Sequence, residues 1–154
     1  MASGRIVARL GLAALASGGT AGLLLTLAVF FGGLLSGYAR SWWTASALLD
    51  WLPIGFLAGL FAASLPAFFA GAGLWSIGDT VRAVRHPLAW AASGAVIGGA
   101  LWALYLLGLG SVGENGLDTG EMALLAAGLV AGCGGALAFL AVMRLSGLPR
   151  RQRR

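Results

Sequence analysis

The sequence predicts an all-α integral membrane protein with four transmembrane helices. Two observations carry this. First, hydrophobic residues make up 59% of the 154-residue chain and charged residues only 10%, against about a quarter charged in soluble domains. A soluble core of this size has no way to hide that much apolar surface. Second, the apolar residues fall into four uncharged runs, Leu10–Tyr38, Trp51–Ile77, Leu88–Gly110 and Met122–Met143. Each reaches the roughly 20 residues a helix needs to cross a bilayer. The whole of 1–154 reads as one transmembrane domain, with residues 144–154 as a basic tail.

The first run is longer than one crossing needs and implies tilt or a protruding end. Arg5 and Arg9 precede it, and Ala14-Leu-Ala16 faintly resembles a signal-peptide cleavage site. The apolar stretch before that site is at the short limit, and the run continues well past it, so a retained helix is the expectation. The Arg-containing, acid-free start also resembles an organelle transit peptide, kept as a minor alternative.

Prolines and capping residues mark the later boundaries. Pro53 and Pro87 fall near the first turns expected for runs two and three, where a missing N–H is tolerated. Pro66 lies mid-run and predicts a kink. Asp118-Thr-Gly-Glu121 reads as a capping box opening run four, and Ser76-Ile-Gly-Asp79 has the same spacing, as if opening a short interfacial helix.

Charge sets the expected orientation. With four spans both termini share a side, which holds Arg5, Arg9, Arg82, Arg85, Arg144, Arg150, Arg151, Arg153 and Arg154; the other side holds Arg40 and four of the five acids. The positive-inside rule then predicts cytoplasmic termini, in a bacterial inner membrane or an organelle inner membrane. Trp42, Trp43 and Trp51 near one face, and Trp75 and Trp90 near the other, read as interfacial belts. The 76–87 stretch becomes the cytoplasmic elbow between helices two and three. Arg82, Arg85 and the tail arginines Arg150, Arg151, Arg153 and Arg154 are candidate contacts for anionic lipid headgroups or an acidic partner.

The chain also matches itself. Leu12-Ala-Ala-Leu-Ala-Ser-Gly18 resembles Leu88-Ala-Trp-Ala-Ala-Ser-Gly94, and Gly55, Ala58, Gly59 and Ala63 fall on Gly128, Ala131, Gly132 and Ala136. The expectation is two parallel two-helix repeats. Each run contains Gly-x-x-x-Gly pairs: Gly18/Gly22, Gly33/Gly37, Gly55/Gly59, Gly94/Gly98 and Gly128/Gly132. Such pairs let backbones approach closely. They serve either the bundle itself or the docking of another subunit; Gly128, Gly132, Gly134 and Gly135 give helix four the smallest face for the latter.

Most chemistry lacks its residues. One cysteine, Cys133, and one histidine, His86, lie far apart, which argues against a metal cluster or a nucleophile–base pair. No acid lies within a run, and no phosphate-binding loop is visible. The basic residues carry no interleaved aromatics, so nucleic acid is not an expected partner. The expectation is a protein without catalytic activity, serving as an accessory or scaffolding subunit among other membrane subunits and lipids. The alternatives are a small homo-oligomeric channel or transporter, with Ser17, Thr20, Thr26, Ser36, Ser64 and Ser93 along its path, or a binder of a lipophilic cofactor or lipid. Trp102, Tyr105 and His86 are the candidates for that binding; Ser17 and Ser93 hold matching repeat positions.

Overall fold

The computed structural model describes residues 2–35, 44–77, 81, 84, 86–108 and 119–146. They form four helices, α1 (Ala2–Leu35), α2 (Ala45–Ile77), α3 (Pro87–Gly108) and α4 (Thr119–Leu145). All four are long and apolar enough to cross a membrane. At a rise of about 1.5 Å per residue, α1 and α2 run roughly 50 Å each, some 20 Å beyond a hydrocarbon core.

Three helices begin three or more residues earlier than their apolar runs, and α3 begins one residue earlier. α1 includes Arg5 and Arg9, α2 starts at Ala45 and takes in Asp50, and α4 starts at Thr119 and ends with Arg144 in its last turn. The reason is that hydropathy marks where lipid begins, whereas backbone hydrogen bonding continues into the interface. At α2 the start is set by Thr44: its Oγ1 accepts from Ala47 N at 3.3 Å and its carbonyl from Leu48 N at 3.0 Å. Pro53 therefore sits in the third turn of α2, not the first. α2 runs unbroken through Pro66, which leaves the Ala62 carbonyl without its i+4 donor. Pro87 does open α3, where His86 caps: its Nδ1 accepts from Leu88 N at 3.3 Å and its carbonyl from Ala89 N at 3.1 Å.

Ser76 starts no helix. It lies in the last turn of α2, its hydroxyl donating to Gly73 O at 2.7 Å. Gly78, Asp79 and Asp118, and with them the rest of both proposed capping boxes' starts, lie outside the described residues. So do Gly37, Trp42, Trp43, Arg82, Arg85 and the tail from 147. Arg144 belongs to α4 rather than to the tail.

α1 packs on α2 and on α4, α3 packs on α4, and α2 touches α4 more lightly. The order across the bundle is α2, α1, α4, α3. Neighbours run antiparallel, since Gly18 meets Gly59 while Gly22 meets Gly55, and Gly94 meets Gly132 while Gly98 meets Gly128. The α1–α2 and α3–α4 seams are both glycine on glycine. A Cβ on Gly59 would stand 2.6 Å from Gly22 Cα, and one on Gly132 3.0 Å from Gly98 Cα. Those neighbours are backbone and have little freedom to yield, so these seams require glycine.

The densest core lies where the start of α1 meets the start of α3 and the end of α4. It comprises Ala13, Ala14, Trp90, Phe139, Leu140 and Met143, flanked by Leu74 and Trp75 of α2. Trp90 is 2% exposed. Its ring stacks on Phe139 with centroids 5.6 Å apart, and its Nε1 donates to Val84 O at 2.8 Å. Trp90 is thus a core residue that ties down the α2–α3 connection, its ring turned into the bundle rather than out to lipid. Burial wins because α4 offers a flat aromatic partner and the connection offers a carbonyl for the indole N–H.

Candidate functional site

α2 and α3 form no packed seam among the described residues. Between them lies a cavity of about 380 Å³, walled by α2 and α3 and backed by α1 and α4. That volume is in the range of ligand pockets, roughly 300–1,000 Å³. Its α2 wall is made of small residues at helical spacing: Gly55, Ala58, Gly59, Ala62, Ala63, Pro66, Ala67, Ala70 and Gly71 all line it. A helix face without side-chain bulk leaves a hollow. On α3 the lining runs from Trp90 to Tyr105, about 22 Å of helix.

One end of the cleft meets the core. There Trp90 and Phe139 stack, and Phe139 covers Gly71. The other end carries Trp102 and Tyr105, whose rings meet edge-to-face at 5.2 Å. Trp102 lies over Gly128, where any side chain on that glycine would collide with the indole. Neither the Trp102 N–H nor the Tyr105 hydroxyl has a hydrogen-bond partner among the described residues. Among the described residues Tyr105 is the only ionisable one in the lining.

The structure thus brings two of the three candidate binding residues together. His86 is elsewhere, exposed at the start of α3 and about 24 Å along the helix from Trp102. The hydroxyls separate as well. Ser17, 5% exposed, lines the cleft against Gly135. Ser93 does not line it and donates to Ala89 O at 2.8 Å. Thr26 donates to Gly22 O at 2.9 Å. The buried Ser64 hydroxyl, beside Gly18, has no hydrogen-bond partner.

All nine glycines proposed for helix packing are engaged inside the bundle. Gly18 and Gly22 meet α2, Gly55 and Gly59 meet α1, Gly94 and Gly98 meet α4, Gly128 and Gly132 meet α3, and Gly135 meets α1. Gly134 faces Leu24 of α1. The small face of α4 is therefore shared between α3 and α1. Cys133 is half-buried with a free thiol. Among the described residues no cluster of three His, Cys, Asp or Glu could hold a metal ion.

Sequence reasoning picked out the aromatic pair but missed the α2 wall. The available signal was the small-residue stripe continuing past Gly59 through Ala62, Ala63, Pro66, Ala67 and Ala70 to Gly71, far longer than one glycine pair requires. Comparison with protein families, curated proteins and solved structures finds no match.

Proposed function

We propose that this chain is a non-catalytic membrane protein that holds a lipophilic molecule in the cleft between α2 and α3. The observation that carries the reading is the cleft itself: about 380 Å³, lined almost wholly by apolar groups, within helices long enough to span a bilayer. A slot of this kind at membrane depth is filled by hydrocarbon, because lipid is the surrounding solvent and polar guests have almost no partners there. The role of accessory subunit remains compatible with this. Its particular support, a spare glycine face on α4, is already used within the bundle.

The proposal includes an orientation with both termini cytoplasmic, in a bacterial inner membrane, supported by the arginine asymmetry. It also includes descent of the two hairpins from one duplicated unit. The support is contact for contact: a Cβ on Gly22 meets Gly55 O as one on Gly98 meets Gly128 O, and Gly59 meets Gly18 O as Gly132 meets Gly94 O.

The test is purification of the full chain in mild detergent, followed by mass spectrometry of what stays bound. A stoichiometric lipophile, lost in Ala63→Leu, is the expected result. A lipid-free chain, or one bound stably to a fixed set of larger membrane subunits with the cleft variant silent, overturns it. For orientation, a cysteine at Gly116 in a Cys133→Ser background should react with an impermeant thiol reagent only from outside the cell. Reaction only from the cytoplasm inverts the topology.

A further inference from the structure

We infer that the guest is an uncharged lipid with one acceptor-bearing head, held head-first at Trp102 and Tyr105 with its tail running to the Trp90–Phe139 stack. This deepens the cleft reading and rests on it. The cleft carries its two unpaired aromatic donors at one end, with Ser17, among the described residues, the single hydroxyl of the lining toward the other. Trp102 and Tyr105 stand one turn apart on α3, both line the cavity, and both keep an unused hydrogen-bond donor. The other aromatic donor in the lining, Trp90 Nε1, is already given to Val84 O. Thr26 has given its proton to Gly22 O. Two free donors within one turn suit an acceptor oxygen such as a quinone or ester carbonyl.

The tail direction follows from shape. Below the aromatic pair the walls are the small residues of α2 and the glycines of α4, and the slot ends on the Trp90–Phe139 stack. The lining length of about 22 Å exceeds one leaflet, about half of a 30 Å core. It suits a single extended chain. Charge argues for a neutral head: among the described residues no Arg, Lys, Asp or Glu lines the cleft. Among the described residues the charged groups nearest the head end are acidic, Asp50 in the second turn of α2 and Glu121 in the first turn of α4, which disfavours an anionic headgroup.

The experiment uses the full chain, stripped of lipid in mild detergent, and three probes: decyl benzoquinone, decane and dioleoylphosphatidylcholine. Two net hydrogen bonds predict that the quinone binds about tenfold tighter than decane. Trp102→Phe with Tyr105→Phe should erase that margin and change decane binding far less, since both donors go while an aromatic ring remains at each position. A diazirine at the tail end of the quinone probe should label residues 71–74 or 136–139, and one beside the ring should label 101–105. Equal binding of quinone and decane overturns the inference, as does a double variant without effect or a reversed labelling pattern. Phosphatidylcholine displacing the quinone at equal concentration overturns the uncharged head. In each of those cases decane still binds, so the cleft reading stands; decane failing to bind at all removes the cleft reading and this inference together. If the double variant misfolds, Tyr105→Phe alone must lose about threefold for quinone and nothing for decane.

Discussion

The α1–α4 seam is closed and the α2–α3 seam is open, although the proposed repeat makes them counterparts. On the closed side, Leu24 of α1 fills the space over Gly134, and Phe139, Leu140 and Met143 of α4 pack with Leu10, Ala13 and Ala14. Large residues on one helix meet small ones on the other. In the repeat register, Leu140 and Met143 correspond to Ala67 and Ala70, and Phe139 to Pro66. Gly134 corresponds to Phe61, which is 84% exposed. At the matching positions the open side has small residues where the closed side has knobs, and a large one where the closed side has glycine. Volume complementarity, not hydrophobicity, separates the two seams, because every residue involved is content in lipid.

The most damaging single change to the closed seam should be Phe139→Ala. It removes the stack on Trp90 and the cover over Gly71, and buried Phe→Ala substitutions cost about 3–5 kcal/mol. A large fall in thermal unfolding midpoint in detergent is expected, together with loss of the Trp90 near-UV signal. An unchanged midpoint would mean that this core does not hold the hairpins together.

Next comes the glycine seam common to both hairpins. Gly59→Val should destabilise by about 3 kcal/mol, the upper end of overpacking costs, because its new atoms meet the backbone of Gly18 and Gly22. Gly132→Val should match it, meeting Gly94 and Gly98. Gly32→Val, with open space around it, is the control and should move the midpoint little. A clear difference between Gly59→Val and Gly132→Val would weaken the repeat.

How far the sequence foretold this follows the same division. Helix number and kind were legible because a run of uncharged apolar residues has one stable form in lipid. The glycine pairs were legible because their spacing puts both residues on one face. Helix starts were not, since Thr44 begins α2 through a local hydroxyl cap that hydropathy does not register. Nor was the fate of Trp90, which depends on Phe139 from a helix distant in sequence. The cleft was the least legible. It exists because two helices fail to meet, and a failure of packing has no residue of its own to announce it.

Smaller effects separate the two seams more sharply. Leu24→Ala should cost about 2–3 kcal/mol, emptying the space over Gly134. Its mirror experiment transplants the closed seam's residues into the open one. Ala67→Leu with Ala70→Met places them in the cavity wall. Because there is room, the stability change should stay within about 1 kcal/mol, while bound lipophile measured by mass spectrometry falls at least about tenfold. Severe destabilisation instead would mean that the cleft is already closed in the membrane.

The smallest effect is expected at Phe61. Its side chain is 84% exposed on α2, so in lipid its truncation exchanges mostly one apolar contact for another. Phe61→Ala should shift stability by no more than about 0.5 kcal/mol, as surface substitutions do. Its counterpart contact on the closed side is Leu24 over Gly134, and the residue across from Phe61 in that register is Ala100, also exposed. Large against small is thus kept, with the sides exchanged. A loss of 2 kcal/mol or more on Phe61→Ala, near the cost of a buried large-to-small change, would show that Phe61 packs on Ala100 for much of the time. The open seam would then be one state of a cleft that closes, and the comparison between the seams would become one between two conformations of the same packing.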